Sequence, residues 1–330
     1  MESILEKLNP MIHFKNQPKL SGFEVDRKRD EQRLSLIPHI ESFLGSDELY
    51  AGKEVTVEFS HGGVSSLLCF VEADGEKRVL KIPLSNGAPE GSEALFLKQW
   101  ESVGVATPHV FREGRIGDRP FILMSFVDAP LLTDVFKDYG DDVSIEEGKT
   151  LHLMHTAKAQ GFGRIREGKP DFGSFKDWAL SEDMQGRYKE VQELGLLTDE
   201  HGSLQKVLDT LIEYSNTQEG SNYCHFDFGS NNLLATRPLT VIDPDPTLNH
   251  AVLDLGRSIT LASSGGSLNP CEDLKEGYFS GDVPFEERVL QSAVILNAYM
   301  KFPYWHKKDK TEAINNVRQY LAQTRGTLER

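Results

Sequence analysis

The sequence predicts an α+β chain of two lobes, a small antiparallel sheet followed by a larger, mainly helical half. Three observations carry this. Strand-like segments crowd between about residues 55 and 126, whereas helical periodicity dominates beyond about residue 130. The 330-residue length is about twice the roughly 150 residues of a common domain. Hydrophobic residues make up 38% of the chain, enough for a real core and too many for wholesale disorder. The divisions expected are a helical extension over 1–50, a first lobe over 51–127 and a second over 128–330.

The elements follow in order. Leu34, Ile37, Ile40 and Leu44 recur at helical spacing and predict a helix over Arg27–Leu44. Val55, Val57 and Phe59 alternate with polar residues as a half-buried strand does. After Ser60–Ser66, the apolar run Leu67–Val71 and the turn pair Asp74-Gly75 predict a hairpin whose second strand is Arg78–Pro83. A helix is expected near Ser92–Ser102, ended by Gly104 and Pro108. Val110–Phe111 and Pro120–Phe126 read as two more strands. Beyond Pro130, Ser144 and Glu147 have the spacing of a capping box opening a helix with Leu151, Met154 and His155 on one face. Leu233-Leu234 and Val241-Ile242 form a short β-segment, and Glu286–Gln323 is helical with a break expected at Phe302-Pro303.

Composition narrows the partners. The 36 Lys and Arg against 51 Asp and Glu give a net charge of −15, which argues against a nucleic-acid binder and is compatible with a cationic small molecule. The cysteines Cys69, Cys224 and Cys271 are odd in number and lack metal spacing, so no disulfide framework is expected. No apolar run reaches the roughly 18–20 residues of a membrane span, and the N-terminus lacks a secretory pattern. A cytoplasmic location with no membrane partner is the expectation, and no oligomeric state is legible.

The chemistry concentrates in Cys224–Leu234 and Val241–Asp245. Phosphoryl transfer needs a carboxylate to orient an acceptor hydroxyl and take its proton, and oxygen ligands to hold Mg²⁺ against phosphates. Asp227, Asn232 five residues later, and Asp243 at the end of a β-segment supply those groups on one hairpin. His225 is placed to hold the loop rather than react. The string His-x-Asp-x-x-x-x-Asn fixes only three positions and is weak alone; the β-segment after it and the strand-rich half before it give it weight.

His225-x-Asp227-x-x-x-x-Asn232 with Ile242-Asp243 resembles the catalytic and metal loops of the aminoglycoside phosphotransferase and choline kinase group, which shares the protein-kinase fold. Asp227–Asn232 is most similar to the loop of hygromycin-type phosphotransferases. The resemblance implies ATP and Mg²⁺ as cofactors, Asp227 as base, Asn232 and Asp243 as metal ligands, and Asp254 as a brace for the loop. It makes the first lobe the nucleotide-binding one. There Lys81 would contact nucleotide phosphates with Glu93 as its ion-pair partner. Gly62, Gly63 and Ser65 or Ser66 would approach the phosphates. Ser125, Phe126 and Val127, with Met124, would form the interlobe hinge against adenine. His155 resembles the family's Leu-His element and reads as structural.

The loop lacks G-x-G-x-x-G, and Pro244-Asp245 departs from the family pattern after the metal Asp, leaving Asp245 open between metal, substrate and turn. The acidic stretch Glu272–Glu287 reads as a solvated face sooner than a carboxylate-lined site. The acceptor expected is a small-molecule hydroxyl; an aminoglycoside, an amino alcohol, a sugar or another metabolite all suit the loop. A protein acceptor is disfavoured, because no Ala-Pro-Glu element follows Asp243. A nucleotide-binding pseudoenzyme or interaction module is the competing class, against which the joint presence of Lys81, Glu93, Asp227, Asn232 and Asp243 argues.

Overall fold

The computed structural model describes residues 11–20, 27–60, 65–84, 92–140, 142–198, 203–266, 269–280 and 286–324. The chain forms two compact units, Met1–Lys98 with Pro108–Asp128, and Gln99–Thr107 with Ala129–Arg330.

The first unit is built on a six-stranded sheet of β1 (Ile12–Phe14), β2 (Val55–Phe59), β3 (Ser66–Ala73), β4 (Glu76–Pro83), β5 (Val110–Ile116) and β6 (Arg119–Ser125), in the order β1-β2-β3-β4-β6-β5. Strand β1 pairs parallel to β2 and the remaining pairs are antiparallel. Asp74 and Gly75 take φ values of +52° and +77°, as the two-residue turn between Ala73 and Glu76 requires. The alternation read from Val55, Val57 and Phe59 is realised, since all three are buried. Helix α1 (Arg27–Ser46), which the sequence reading sets apart as an extension, buries Leu36, Ile37, Ile40 and Leu44 in one core with Val57, Cys69, Val71, Leu80 and Ile82 of the sheet. Its helical spacing therefore matches the face it covers. Helix α2 (Ser92–Ser102) follows β4.

The second unit is mainly helical: α3 (Leu132–Tyr139), α4 (Val143–Met154), α5 (Phe175–Ala179), α6 (Glu182–Glu193), α7 (Leu204–Asn216), α8 (Ala251–Ser263), α9 (Asn269–Tyr278), α10 (Glu287–Lys307) and α11 (Thr311–Thr324). It also contains a five-stranded sheet of β7 (Lys158–Ala159), β8 (Phe162–Arg166), β9 (Lys169–Phe172), β10 (Ser221–Cys224) and β13 (Thr247–Asn249), in the order β7-β10-β13-β8-β9. The expected β-segment is the pair β11 (Leu233–Leu234) and β12 (Thr240–Val241).

Two local expectations are corrected. Helix α4 starts at Val143 with Asp142 in the cap position, so Ser144 and Glu147 are buried within the helix rather than forming a capping box. Helix α10 runs through Pro303 and ends at Lys307. Proline there costs the helix a backbone bond, but Phe302, Pro303 and Trp305 are all buried, and that packing holds the helix intact. The chain turns instead at Asp309, whose φ is +54°.

Two close helix contacts place the side chains that matter below. Helix α10 packs on α8, where a Cβ at Gly256 would lie 2.9 Å from the Ala293 Cβ. Helix α4 packs on α9, where a side chain at Gly148 would run into the Leu274 carbonyl and one at Gly277 into that of Ile145. Only glycine permits either approach. Among the described residues, no helix is long and apolar enough to cross a membrane, and Cys69, Cys224 and Cys271 are free and buried.

Candidate active site

The pairing of β10 with β13 closes the base of the segment that carries Asp227 and Asp243, with Cys224 opposite Thr247 and Tyr223 opposite Leu248. The chain leaving β10 is fixed from below by Asp254, the fourth residue of α8. Its fully buried carboxylate accepts hydrogen bonds from the backbone N–H of His225 at 2.6 Å and of Phe226 at 2.8 Å. His155 Nε2 lies 3.1 Å from the same carboxylate, and its Nδ1 lies 2.8 Å from the Tyr278 hydroxyl. Burial alone would raise the Asp254 carboxyl; the hydrogen bond and charge of His155, then His225, outweigh it and hold the group below its ordinary value. Phe226 sits at φ +56°, a conformation that Asp254 and the Arg257 Nε bond to the Phe226 carbonyl (3.1 Å) hold in place.

His225 acts within the loop. Its Nδ1 accepts the Asp227 N–H at 3.3 Å and its Nε2 lies 3.0 Å from the Ile242 carbonyl, so the Nε2–H tautomer satisfies both. The ring stacks on Trp100, with centroids 5.7 Å apart and planes 6° from parallel.

These bonds present Asp227. Asn232 Nδ2 donates to the Asp227 carbonyl at 2.8 Å and to its Oδ2 at 3.1 Å, while Lys301 Nζ of α10 donates to Oδ1 at 3.3 Å. Burial pushes the Asp227 carboxyl up, but Lys301, Arg257 and His225 push it down further, and it stays below its ordinary value. Asp227 is therefore ionised throughout the neutral range. Burial and the neighbouring Arg257 push the Lys301 ammonium down against the opposing pull of Asp227.

Asn232 spends its amide N–H₂ on Asp227, which leaves its side-chain oxygen as a ligand atom. The Ile242 N–H donates to the Asn232 carbonyl at 3.0 Å, which sets Asp243 on the chain beside Asn232. Asp243 is exposed and takes φ +51°. An amide oxygen and an exposed carboxylate are hard oxygen donors of the kind Mg²⁺ prefers, so this pair fits that ion. Asp245 accepts from Arg164 Nη2 at 2.5 Å, and its backbone N–H donates to the His225 carbonyl at 2.9 Å.

Asp227, Gly229, Asn231 and Asn232 form one wall of a cavity of about 450 Å³ that Ser144 and Glu147 of α4, Lys301, Tyr304 and Trp305 of α10, and Lys310 also line. Glu147 is only 9% exposed and makes no hydrogen bond among the described residues. Burial pushes its carboxyl up to about 7. The described acids of the 272–287 stretch are not in this wall; Glu272, Glu276, Glu286 and Glu287 are exposed, and Glu272 pairs with Lys275 at 2.7 Å.

In the first unit, Lys81 Nζ lies 2.7 Å from both carboxylate oxygens of Glu93, and Lys81 is 5% exposed. Gly62 and Gly63 lie outside the described residues. Ser65 is exposed, and its carbonyl accepts from the Leu84 N–H at 2.8 Å. Ser125 ends β6 and its Oγ accepts the His109 N–H at 2.9 Å. The Phe126 ring packs edge-on to Phe70 at 5.5 Å with Lys77 Nζ 4.1 Å above it, and Val127 follows outside any strand. The sequence reading missed Lys301, Arg257 and Glu147. The available signal was a single lysine within the apolar run Leu296–Trp305, and a charged pair three apart within apolar α8.

No protein-family model matches the chain, and no curated protein matches it by sequence. Solved structures do match. Aminoglycoside phosphotransferase APH(4)-Ia superposes with a TM-score of 0.56 at 15% identity, over 87% of this chain and 98% of that one. A thermostable mutant of it, in ternary complex with ADP and hygromycin B, gives 0.57 at 15% identity over 86% and 98%. A choline/ethanolamine kinase family protein from Mesorhizobium loti gives 0.57 at 17% identity over 89% and 95%.

Proposed function

The chain has the protein-kinase-like fold of these phosphotransferases, and from its site we propose that it is an ATP- and Mg²⁺-dependent kinase. It transfers the γ-phosphoryl group to a hydroxyl of a small molecule held in the cavity beside Asp227. The observation that carries this reading is that one ionised, doubly hydrogen-bonded carboxylate, Asp227, faces a cavity of about 450 Å³, the size of a small-molecule site.

In this reading Asp227 orients the acceptor hydroxyl and takes its proton. Asn232 and Asp243 hold Mg²⁺, which neutralises phosphate charge when bound. Lys81, kept in place by Glu93, positions the nucleotide phosphates, with Gly62, Gly63 and Ser65 beside them and Ser125, Phe126 and Val127 along the base. Residues 51–127 then serve the nucleotide and 128–330 the acceptor. Two features of APH(4)-Ia support the roles. Its solved complexes contain ADP or AMP-PNP with hygromycin B. Variants of it carry alanine for one Asp and, separately, for Asn residues four and five positions later, the spacing of Asn231 and Asn232 from Asp227.

An aminoglycoside, an amino alcohol or a sugar fits the acceptor description. A panel of these compounds, read by Mg²⁺-dependent ADP release, tests the reading. At least one should raise ADP release above the water-only rate, and a flat panel together with no Mg²⁺-dependent ATP hydrolysis would refute it.

A further inference from the structure

We propose that Lys301 is a catalytic residue of this phosphoryl transfer, its ammonium stabilising the acceptor oxygen and the transferring phosphoryl group while Asp227 takes the proton. The inference rests on the reading of Asp227 given above.

Lys301 comes from α10, 74 residues after Asp227, yet its Nζ is 3.3 Å from Asp227 Oδ1. Its side chain is 17% exposed, so the ammonium is largely withdrawn from water. A lysine so withdrawn for structural reasons would have its three N–H groups matched by protein acceptors. Among the described residues, Lys301 makes one hydrogen bond, to Asp227, and the residue lines the cavity. The Tyr304 ring lies 5.7 Å from the ammonium, and among the described residues no second hydrogen-bond acceptor takes its remaining protons, at a point where the cavity meets the proposed base. A merely charge-balancing partner for Asp227 is already present in Arg257, a buried residue of α8 whose charge acts on the same carboxylate. Of the two lysines that line the cavity, Lys301 and Lys310, Lys301 is the one bonded to Asp227.

Its position fits the charge that the reaction develops. A hydroxyl bonded to Oδ1 stands next to Nζ. As its oxygen forms a bond to the γ-phosphorus, its proton passes to Asp227 Oδ1. The bond from that phosphorus to the β,γ-bridging oxygen breaks, and its electron pair leaves on ADP. Negative charge spreads over the transferring oxygens while Asp227 loses its own, so the field of Lys301 is redirected from the carboxylate to the phosphoryl group. Such a pre-placed donor acts on the transition state more than on the bound ground state. Its rigidity comes from α10, which is held against α8 at Gly256.

The test compares wild type, Lys301→Met and Lys301→Arg in Mg²⁺-dependent ATP turnover, with and without a productive acceptor. Lys301→Met should lower kcat by about 100-fold or more, the loss seen for one removed transition-state donor, with KM for ATP changed less than about threefold. Lys301→Arg should recover at least a tenth of the wild-type kcat, and a small alkylamine in solution should partly restore Lys301→Met. Thermal midpoints and nucleotide affinity are measured on the same samples, so loss of folding is told apart from loss of chemistry. A kcat for Lys301→Met within threefold of wild type would overturn the inference and leave the kinase reading intact. A loss confined to acceptor KM would also overturn it, marking Lys301 as a ground-state binding group. A loss of kcat that neither arginine nor amine relieves would overturn it as well. Failure of the kinase reading looks different: wild type itself would then turn over no ATP.

Discussion

Glu147 lets stability report on the cavity directly. Replacing it by glutamine keeps the size and removes the ionisable group. The carboxyl is nine-tenths buried without a hydrogen-bond partner among the described residues, and burial moves it from 4.5 to about 7. At about 1.36 kcal/mol per unit, that displacement is worth about 3 kcal/mol. The sign follows from proton binding: between pH 4.5 and 7 the unfolded chain has lost this proton while the folded chain keeps it. The contribution is fully present below pH 4.5 and is lost as pH rises through about 7. Glu147→Gln should therefore match wild type near pH 4.5 and exceed it at pH 8 by about 2–3 kcal/mol. Urea unfolding of both proteins at the two pH values measures this. An advantage of the same size at both pH values, or a loss at pH 8, would refute the reasoning. The gain should come with poorer use of acceptors that carry an ammonium group, because the wild-type carboxylate is the uncompensated acid in that wall.

Two further outcomes follow from the loop. Asp254→Ala strands the buried N–H groups of His225 and Phe226, each costing about 1–3 kcal/mol. Thermal and urea unfolding should show a loss of about 3 kcal/mol or more, and activity should fall further than the folded fraction does. Asp243→Asn, which keeps a side chain suited to the φ of +51°, should abolish the extra thermal stabilisation that Mg²⁺ gives with ATP; chelating the metal from wild type should have the same effect.

Most of the first unit was legible because its signals are local. The alternation of Val55, Val57 and Phe59, the Asp74-Gly75 turn and the periodicity of Ile37, Ile40 and Leu44 each act within a few residues. The five-stranded sheet of the second unit escaped notice because its strands are two to five residues long and, the β8–β9 hairpin apart, pair with distant segments, as Cys224 does with Thr247. Asp227 and Asn232 stood out because both lie on one short loop. Lys301 could not be placed, since its meeting with Asp227 depends on how α10 crosses α8, a tertiary fact with no sequence period. Pro303 misled for a related reason: its local cost is real, and the burial of Phe302 and Trp305 around it outweighs that cost.

A kinase of this kind leaves the terminal phosphate of ATP on its acceptor. With γ-labelled ATP, Mg²⁺ and the hydroxyl panel, wild type should place the label on an acceptor hydroxyl. Asp227→Asn should lower that rate by about 10²- to 10⁴-fold, the contribution of a positioned general base, while binding nucleotide as wild type does. Label transfer by Asp227→Asn at the wild-type rate would contradict the role of Asp227 as the base.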